Sequence, residues 1–141
     1  MLTWSEFYNQ FSIQLNEQQL SAVQSVTGPV LLLAVPGSGK TTVLVTRLGY
    51  MIFCRGITPE KILTVTYTVA ATKDMSGRFA SRFGQELADR LEFRTINGIC
   101  ARLIQYYGRK TGRIAFSLLT DEKRIAAILQ LFAGEPADGL R

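Results

Sequence analysis

The chain has 141 residues, 47% of them apolar and 19% charged, with 16 Lys and Arg against 11 Asp and Glu. That composition excludes a disordered chain, because enough apolar surface can be buried to offset ordering entropy, and the length suits one domain or one piece of a larger protein. Histidine is absent, which excludes His-based triads, His metal ligands and a His general base, while the net charge of +5 suits either a polyanionic partner or a plain solvated surface.

The opening "MLTWSEFYNQ" has no basic stretch ahead of an apolar core, and no apolar run is long enough to span a bilayer, so no membrane association and a cytoplasmic protein are expected. Thr3, with Glu6 three residues on, caps a first helix whose apolar side carries Phe7 and Phe11. "LNEQQLSAVQSV" starts a second helix with Asn16 as N-cap and Gln19 placed to reach back. A turn at Thr27 and Gly28 leads to "PVLLLAV", a bare apolar run that reads as a strand buried on both faces. Beyond Lys40, the residues Leu44, Leu48, Met51 and Ile52 repeat at helical spacing, and Gly56 can end that helix.

"TPEKILTVTYT" repeats the theme: Pro59 suits a first helical turn, Ile62 to Tyr67 a second strand, and Thr68 the cap of a helix running through Met75 and Phe79. "LEFRT" follows as a third strand, then "NGICARLIQYYG" as a helix ended by Gly108, a basic turn "GRKTGR", a last helix from Asp121 to Phe132 and a polar tail. Cys54 and Cys100 fall within apolar helical patterns without a CxxC or Cys/His grouping, and read as reduced packing residues. Strands alternating with helices imply an α/β fold, a parallel sheet flanked by helices.

Ala34-Val35-Pro36-Gly37-Ser38-Gly39-Lys40-Thr41 fits G-x-x-x-x-G-K-[ST], with alanine in the first position. The glycines let backbone N–H groups turn inward to form an anion-binding nest, and the helix that follows adds its positive end. Lys40 is then the cation for the β and γ phosphates of a nucleotide, and the Thr41 hydroxyl a ligand of Mg²⁺. A glycine turn that only caps a helix is the plain alternative. The loop alone names neither the base nor the reaction.

"LNEQQLSAV", "LLLAVPGSGKTTVLVTRLGYMI", "ILTVTYTVAATKDM" and "RTINGICARLI", in this order and spacing, resemble the opening motifs of UvrD/Rep-type superfamily 1 DNA helicases, over residues from about 15 to 132. The resemblance implies a RecA-like P-loop NTPase motor domain, incomplete here, that binds ATP and Mg²⁺ through residues 34–42. It aligns Gln19 with the glutamine that reads adenine, a pairing its amide suits because it both donates and accepts. The capping box with Asn16, for which Gln19 is also well placed, is the alternative. Tyr67 and Thr68 align with the motif in which an aromatic ring stacks on a base of single-stranded DNA, and a core aromatic at a strand end is the alternative.

Thr95 and Asn97 fall in a further DNA-contact motif, where Asn97 also suits a helix N-cap. The chain departs from the family at several of these positions. Val69 and Ala70 stand where asparagine and lysine are usual, Asn97 and Gly98 replace histidine and serine, Thr42 replaces an arginine beside the P-loop, and Val35 replaces a frequent glycine. The DNA contacts and the nucleotide affinity are weakened accordingly.

Hydrolysis needs a carboxylate in the Mg²⁺ shell and a group that orients water, usually an Asp-Glu pair after an apolar strand. "AFSLLTDE" is the one candidate, but Thr120 ahead of Asp121 and Glu122 reads more simply as an N-cap followed by first-turn acids. In the family, the Asp-Glu motif, the arginine fingers and the second motor domain lie further along the chain. The expectation is an ATP-binding N-terminal piece of an ATP-dependent DNA helicase that translocates on single-stranded DNA and meets duplex DNA, inactive as a hydrolase without the remaining helicase domains. Residues 1–113 would form the partial RecA-like ATP-binding domain and residues 114–141 the start of a helical insertion. The rival is a stand-alone nucleotide- or DNA-binding module without turnover.

Overall fold

The computed structural model describes residues 1–113 and 120–133, with Phe132 described by its backbone alone. The chain divides into two compact units, Met1–Ala101 and Arg102–Arg141. In chain order the elements are α1 (Trp4–Gln10), α2 (Glu17–Gln24), α3 (Lys40–Phe53), a 3₁₀ turn (Pro59–Lys61), β1 (Leu63–Thr66), α4 (Val69–Phe83), α5 (Gln85–Arg90), β2 (Glu92–Thr95), α6 (Ile96–Thr111) and α7 (Asp121–Phe132).

Local chemistry sets most of these boundaries. The Glu6 N–H donates to Thr3 Oγ1 at 3.3 Å while the Thr3 N–H donates to Glu6 Oε2 at 2.7 Å, which closes a capping box on α1. Asn16 and Gln19 close the equivalent box on α2, at 2.9 and 3.0 Å. Each box satisfies donors that a helix start otherwise leaves without partners. The Thr68 hydroxyl accepts from the Ala71 N–H to cap α4, and the Thr120 hydroxyl accepts from the Lys123 N–H to cap α7.

β1 and β2 pair in parallel, Leu63 opposite Glu92 through Thr66 opposite Thr95. With helices in the connection between them, this is the α/β arrangement that the alternating pattern implies. The core lies where α1, α3 and α4 meet. Phe7 and Phe79 are fully buried, and Phe7 stacks on Phe83 with centroids 5.9 Å apart and planes 14° apart. Gly49 of α3 makes room for that ring, since a Cβ there would stand 2.8 Å from Phe83 Cε1 and Cε2. Cys54 is half-buried and free, and burial pushes its thiol pKa up.

The structure corrects several expectations. Residues 29–35 form no strand, and Leu31 and Leu33 are 83% and 82% exposed. A strand requires a ladder, and the sheet among the described residues holds β1 and β2 only. On α3, Leu48 is buried and Met51 and Ile52 are half-buried, but Leu44 is exposed, because the buried face falls on Val43, Val45, Thr46 and Leu48. Helix α6 passes through Gly108 and takes in most of the expected basic turn. The left-handed residue that follows its end is Gly112, at φ +67°.

Cys100 is exposed rather than packed, on the solvent side of α6. The polar segment Gln85–Arg90, which carries no apolar repeat, forms the unexpected α5 after Gly84 at φ +101°. The apolar stretch 114–119 and the polar tail 134–141 lie outside the described residues.

Candidate nucleotide and nucleic-acid site

The glycine loop joins residues 29–35 to the first turn of α3. Gly37 and Gly39 both take the left-handed conformation, at φ +81° and +79°, which a side chain would strain. Nothing lies within 4 Å of where a Gly37 Cβ would stand, so the loop can be approached closely on that side. Val35 O collects donors from the loop: the Ser38 N–H at 3.2 Å, the Ser38 hydroxyl at 2.7 Å and Lys40 Nζ at 2.8 Å. Lys40 Nζ also donates to Ala34 O at 3.2 Å. The ammonium is thereby folded onto its own loop, and an incoming anion has to draw it away. Pro36 and Gly37 form the turn between Val35 and Ser38.

Thr41 lies half-buried in the first turn of α3, and its hydroxyl engages no partner among the described residues. A free hydroxyl one residue after the lysine suits a hard cation such as Mg²⁺, which takes oxygen ligands and fills the rest of its shell with phosphate and water. The donor set of the loop fits a magnesium-bound polyphosphate: glycines in nest-forming conformations, one lysine and one free hydroxyl. No group of three or more Asp, Glu, Cys or His that could hold a metal occurs among the described residues.

Gln19 stands beside this loop. Its Oε1 accepts from the Asn16 N–H in the capping box, and its Nε2 donates to Ser38 O at 3.1 Å. A cleft of about 290 Å³ runs between α2 and the loop, lined by Gln19, Leu32, Ala34, Val35, Ser38 and Lys40 among others. Thr42 lies apart from it and lines a separate cavity of about 190 Å³ with Arg78, Ser81 and Arg82 of α4.

Thr66 of β1 lies opposite Thr95 of β2, so Tyr67–Thr68 and Thr95–Asn97 emerge side by side at the carboxyl ends of two parallel strands. Ligands of open α/β sheets gather at such ends. Tyr67 is 88% exposed and therefore is not a core aromatic. Two threonine hydroxyls, of Thr66 and Thr72, fix the turn beneath it. Thr66 Oγ1 and Thr72 Oγ1 lie 3.1 and 3.0 Å from Thr68 O and within hydrogen-bonding distance of each other, so that one hydroxyl donates to the carbonyl while the other donates to that hydroxyl. The signal in the sequence was Thr72 four residues after Thr68, the spacing at which a helical threonine bonds back to a carbonyl. Thr95, not Asn97, caps α6, because its Oγ1 accepts from the Gly98 N–H at 3.1 Å. Asn97 lies exposed in the first turn.

In the second unit, Thr120 caps α7 and Asp121 pairs with Arg124 at 3.0 Å. That is the helix-start reading of Asp121 and Glu122. No helix among the described residues is long and apolar enough to cross a membrane.

A parallel strand pair with helical crossovers, together with a glycine loop that delivers a lysine and a threonine to the start of a helix, defines an α/β chain of the P-loop class. Residues 15–138 match the UvrD/REP helicase N-terminal domain, and the chain belongs to that family. It is 35% identical to the ATP-dependent DNA helicase PcrA of Bacillus subtilis over 124 residues, 85% of this chain and 16% of that protein. The ATP-dependent DNA helicase PcrA of Staphylococcus epidermidis is 30% identical over 131 residues, 90% of this chain and 17% of that protein. YjcD of Bacillus subtilis is 47% identical over 77 residues, 55% of this chain and 10% of that protein. The chain thus spans between a tenth and a fifth of the length of these relatives.

Proposed function

We propose that this chain carries the ATP·Mg²⁺-binding and single-stranded-DNA-contacting opening of an ATP-dependent DNA helicase motor. In this reading Gly37, Ser38 and Gly39 turn their N–H groups on the phosphates, with Ala34, Val35 and Pro36 shaping the loop. Lys40 leaves the carbonyls of Ala34 and Val35 to bridge the β and γ phosphates, Thr41 ligates Mg²⁺, and Gln19 takes the adenine edge. Tyr67 stacks on a base, while Thr68, Thr95 and Asn97 offer polar groups to the DNA backbone. Residues 1–113 form the partial RecA-like domain and residues 114–141 open a helical insertion. ATP binding and hydrolysis would drive steps along one DNA strand only with the water-orienting and arginine groups of the remaining helicase domains. The observation that carries the reading is the junction of Gln19 with the P-loop at Ser38 O, in a chain of the UvrD/REP family.

The direct test is titration of a fluorescent ATP analogue in Mg²⁺. Lys40→Ala is expected to weaken binding about tenfold or more, since a charge-assisted contact to phosphate is lost. Equal affinity in the two proteins overturns the nucleotide reading. Tyr67→Ala is expected to weaken binding of an oligo-dT strand by about 1–3 kcal/mol without lowering the unfolding midpoint, because the ring is exposed and the stacking contribution belongs to the complex.

A further inference from the structure

We propose that Gln19 is a positioning residue of the phosphate loop, holding the loop in its anion-binding conformation whether or not a base is present. This rests on the nucleotide reading above and assigns to Gln19 a role separate from base recognition. The amide is oriented from both sides. The Asn16 N–H requires an acceptor and receives Oε1 at 3.0 Å, while Ser38 O requires a donor and receives Nε2 at 3.1 Å. Exchanging the two ends of the amide would set donor against donor and acceptor against acceptor, so only one orientation serves. Gln19 therefore ties the start of α2 to a carbonyl 19 residues away.

What it ties down is the part of the loop that is most costly to order. Gly37 and Gly39 flank Ser38 in left-handed conformations, and glycine loses more backbone freedom on being fixed than any other residue. Gln19 also sits close to Gly39, whose Cβ position lies 3.5 Å from Nε2. Lys40 does not supply an equivalent restraint in the bound state, because its bonds to Ala34 O and Val35 O are the ones a phosphate must replace. A carbonyl oxygen only accepts and cannot serve an anion, so the Gln19 bond to Ser38 O is not one that a phosphate must replace. A loop pre-ordered in this way binds polyphosphate more tightly because less ordering remains to be done on binding.

The arrangement leaves one Nε2 hydrogen and one Oε1 lone pair unused, enough to meet a neighbouring acceptor and donor on a base. A base docked there would stiffen the same amide that holds the loop, so base and phosphate binding would reinforce each other.

The test compares ATP with inorganic tripolyphosphate, which has no base, each in Mg²⁺, on the 141-residue chain. Gln19→Ala is expected to weaken tripolyphosphate binding about fivefold, the loss of one neutral hydrogen bond's worth of loop order, and to weaken ATP binding further. Asn16→Ala breaks the other half of the α2 capping box but leaves the Nε2 bond to Ser38, and is expected to leave tripolyphosphate affinity unchanged. If Gln19→Ala weakens ATP and leaves tripolyphosphate untouched, Gln19 is a base reader only and the proposal falls while the nucleotide reading stands. If Asn16→Ala weakens tripolyphosphate as much as Gln19→Ala does, the effect comes from fraying of α2 and the proposal falls. A wild-type chain that binds neither ligand overturns the nucleotide reading, and this proposal with it.

Discussion

Phe7, Phe79 and Phe83 are buried against one another where α1, α3 and α4 meet, whereas Leu31 and Leu33, in an unbroken apolar run, are more than four-fifths exposed. Hydrophobicity does not separate the two regions; backbone pairing does. A helix satisfies its N–H and C=O groups within its own segment, so an apolar face on α1, α3 or α4 needs only another face to pack against. An extended segment must borrow its partners from a neighbouring strand before it can be buried. β1 and β2 found each other, and residues 29–34 have no strand partner among the described residues.

The comparison breaks most sharply at the aromatic core. Phe79→Ala is expected to cost about 3–5 kcal/mol in chemical denaturation, because a fully buried ring is removed from a site that touches Phe83 and Phe93. A loss below about 1 kcal/mol would mean that this cluster is not what holds residues 1–101 together. Gly49→Ala probes the same cluster by overfilling it, with an expected cost of about 1–3 kcal/mol as the Phe83 ring shifts to admit a methyl group. An unchanged midpoint would show that α3 and α4 can separate freely at that point.

The same distinction explains what was legible in the sequence. Caps and helices were readable because their determinants are local: Thr3 with Glu6, Asn16 with Gln19, Thr68, and Thr120 all act where the spacing placed them. β1 and β2 were readable from β-branched and aromatic residues bounded by turns, and both found partners. The strand expected at 29–35 depended on a distant partner that no local pattern specifies. α5 was missed because a six-residue polar helix gives no periodic signal. At the site, the turn through Gly37 and Gly39 and the start of a helix at Lys40 were legible, and so was the Asn16–Gln19 box. The bond from Gln19 to Ser38 was not, since contact across 19 residues has no signature in either segment. The helix start at α6 was misassigned from Thr95 to Asn97 because both residue types cap well and only the backbone decides between them.

Surface carboxylates sharpen the comparison from outside the core. The Thr3 backbone N–H, and after it the Thr3 hydroxyl, holds Glu6 below the usual carboxylate range. A hydrogen bond from Arg90 does the same for Glu60, at 2.7 Å. A carboxyl whose folded pKa is depressed contributes stability above its unfolded pKa and loses it as pH falls through the folded value. The unfolding midpoint is therefore expected to drop modestly as pH is lowered from the ordinary Glu range into the depressed one. The combined Glu6→Gln, Glu60→Gln variant is expected to show a shallower drop over the same window, and an identical acid limb in both proteins would refute the assignment. Both groups are exposed, so the effect is smaller than that of either core substitution.

The smallest expected change comes from the region that looks most like core in the sequence. Leu31→Lys should alter the stability of this chain by less than about 0.5 kcal/mol, because substitutions away from buried contacts usually do. A leucine of the same composition in a two-sided buried strand would cost about 2–5 kcal/mol on truncation alone, before any penalty for a charge. The two outcomes differ enough for a single pair of denaturation curves to separate them. A large loss would place residues 30–35 in a packed environment and would make backbone pairing of that segment part of the native state. A negligible loss keeps the stability of residues 1–101 in the aromatic cluster. The glycine loop is then held by α3, by its own bonds to Val35 O and by the Gln19 contact to Ser38 rather than by a strand leading into it.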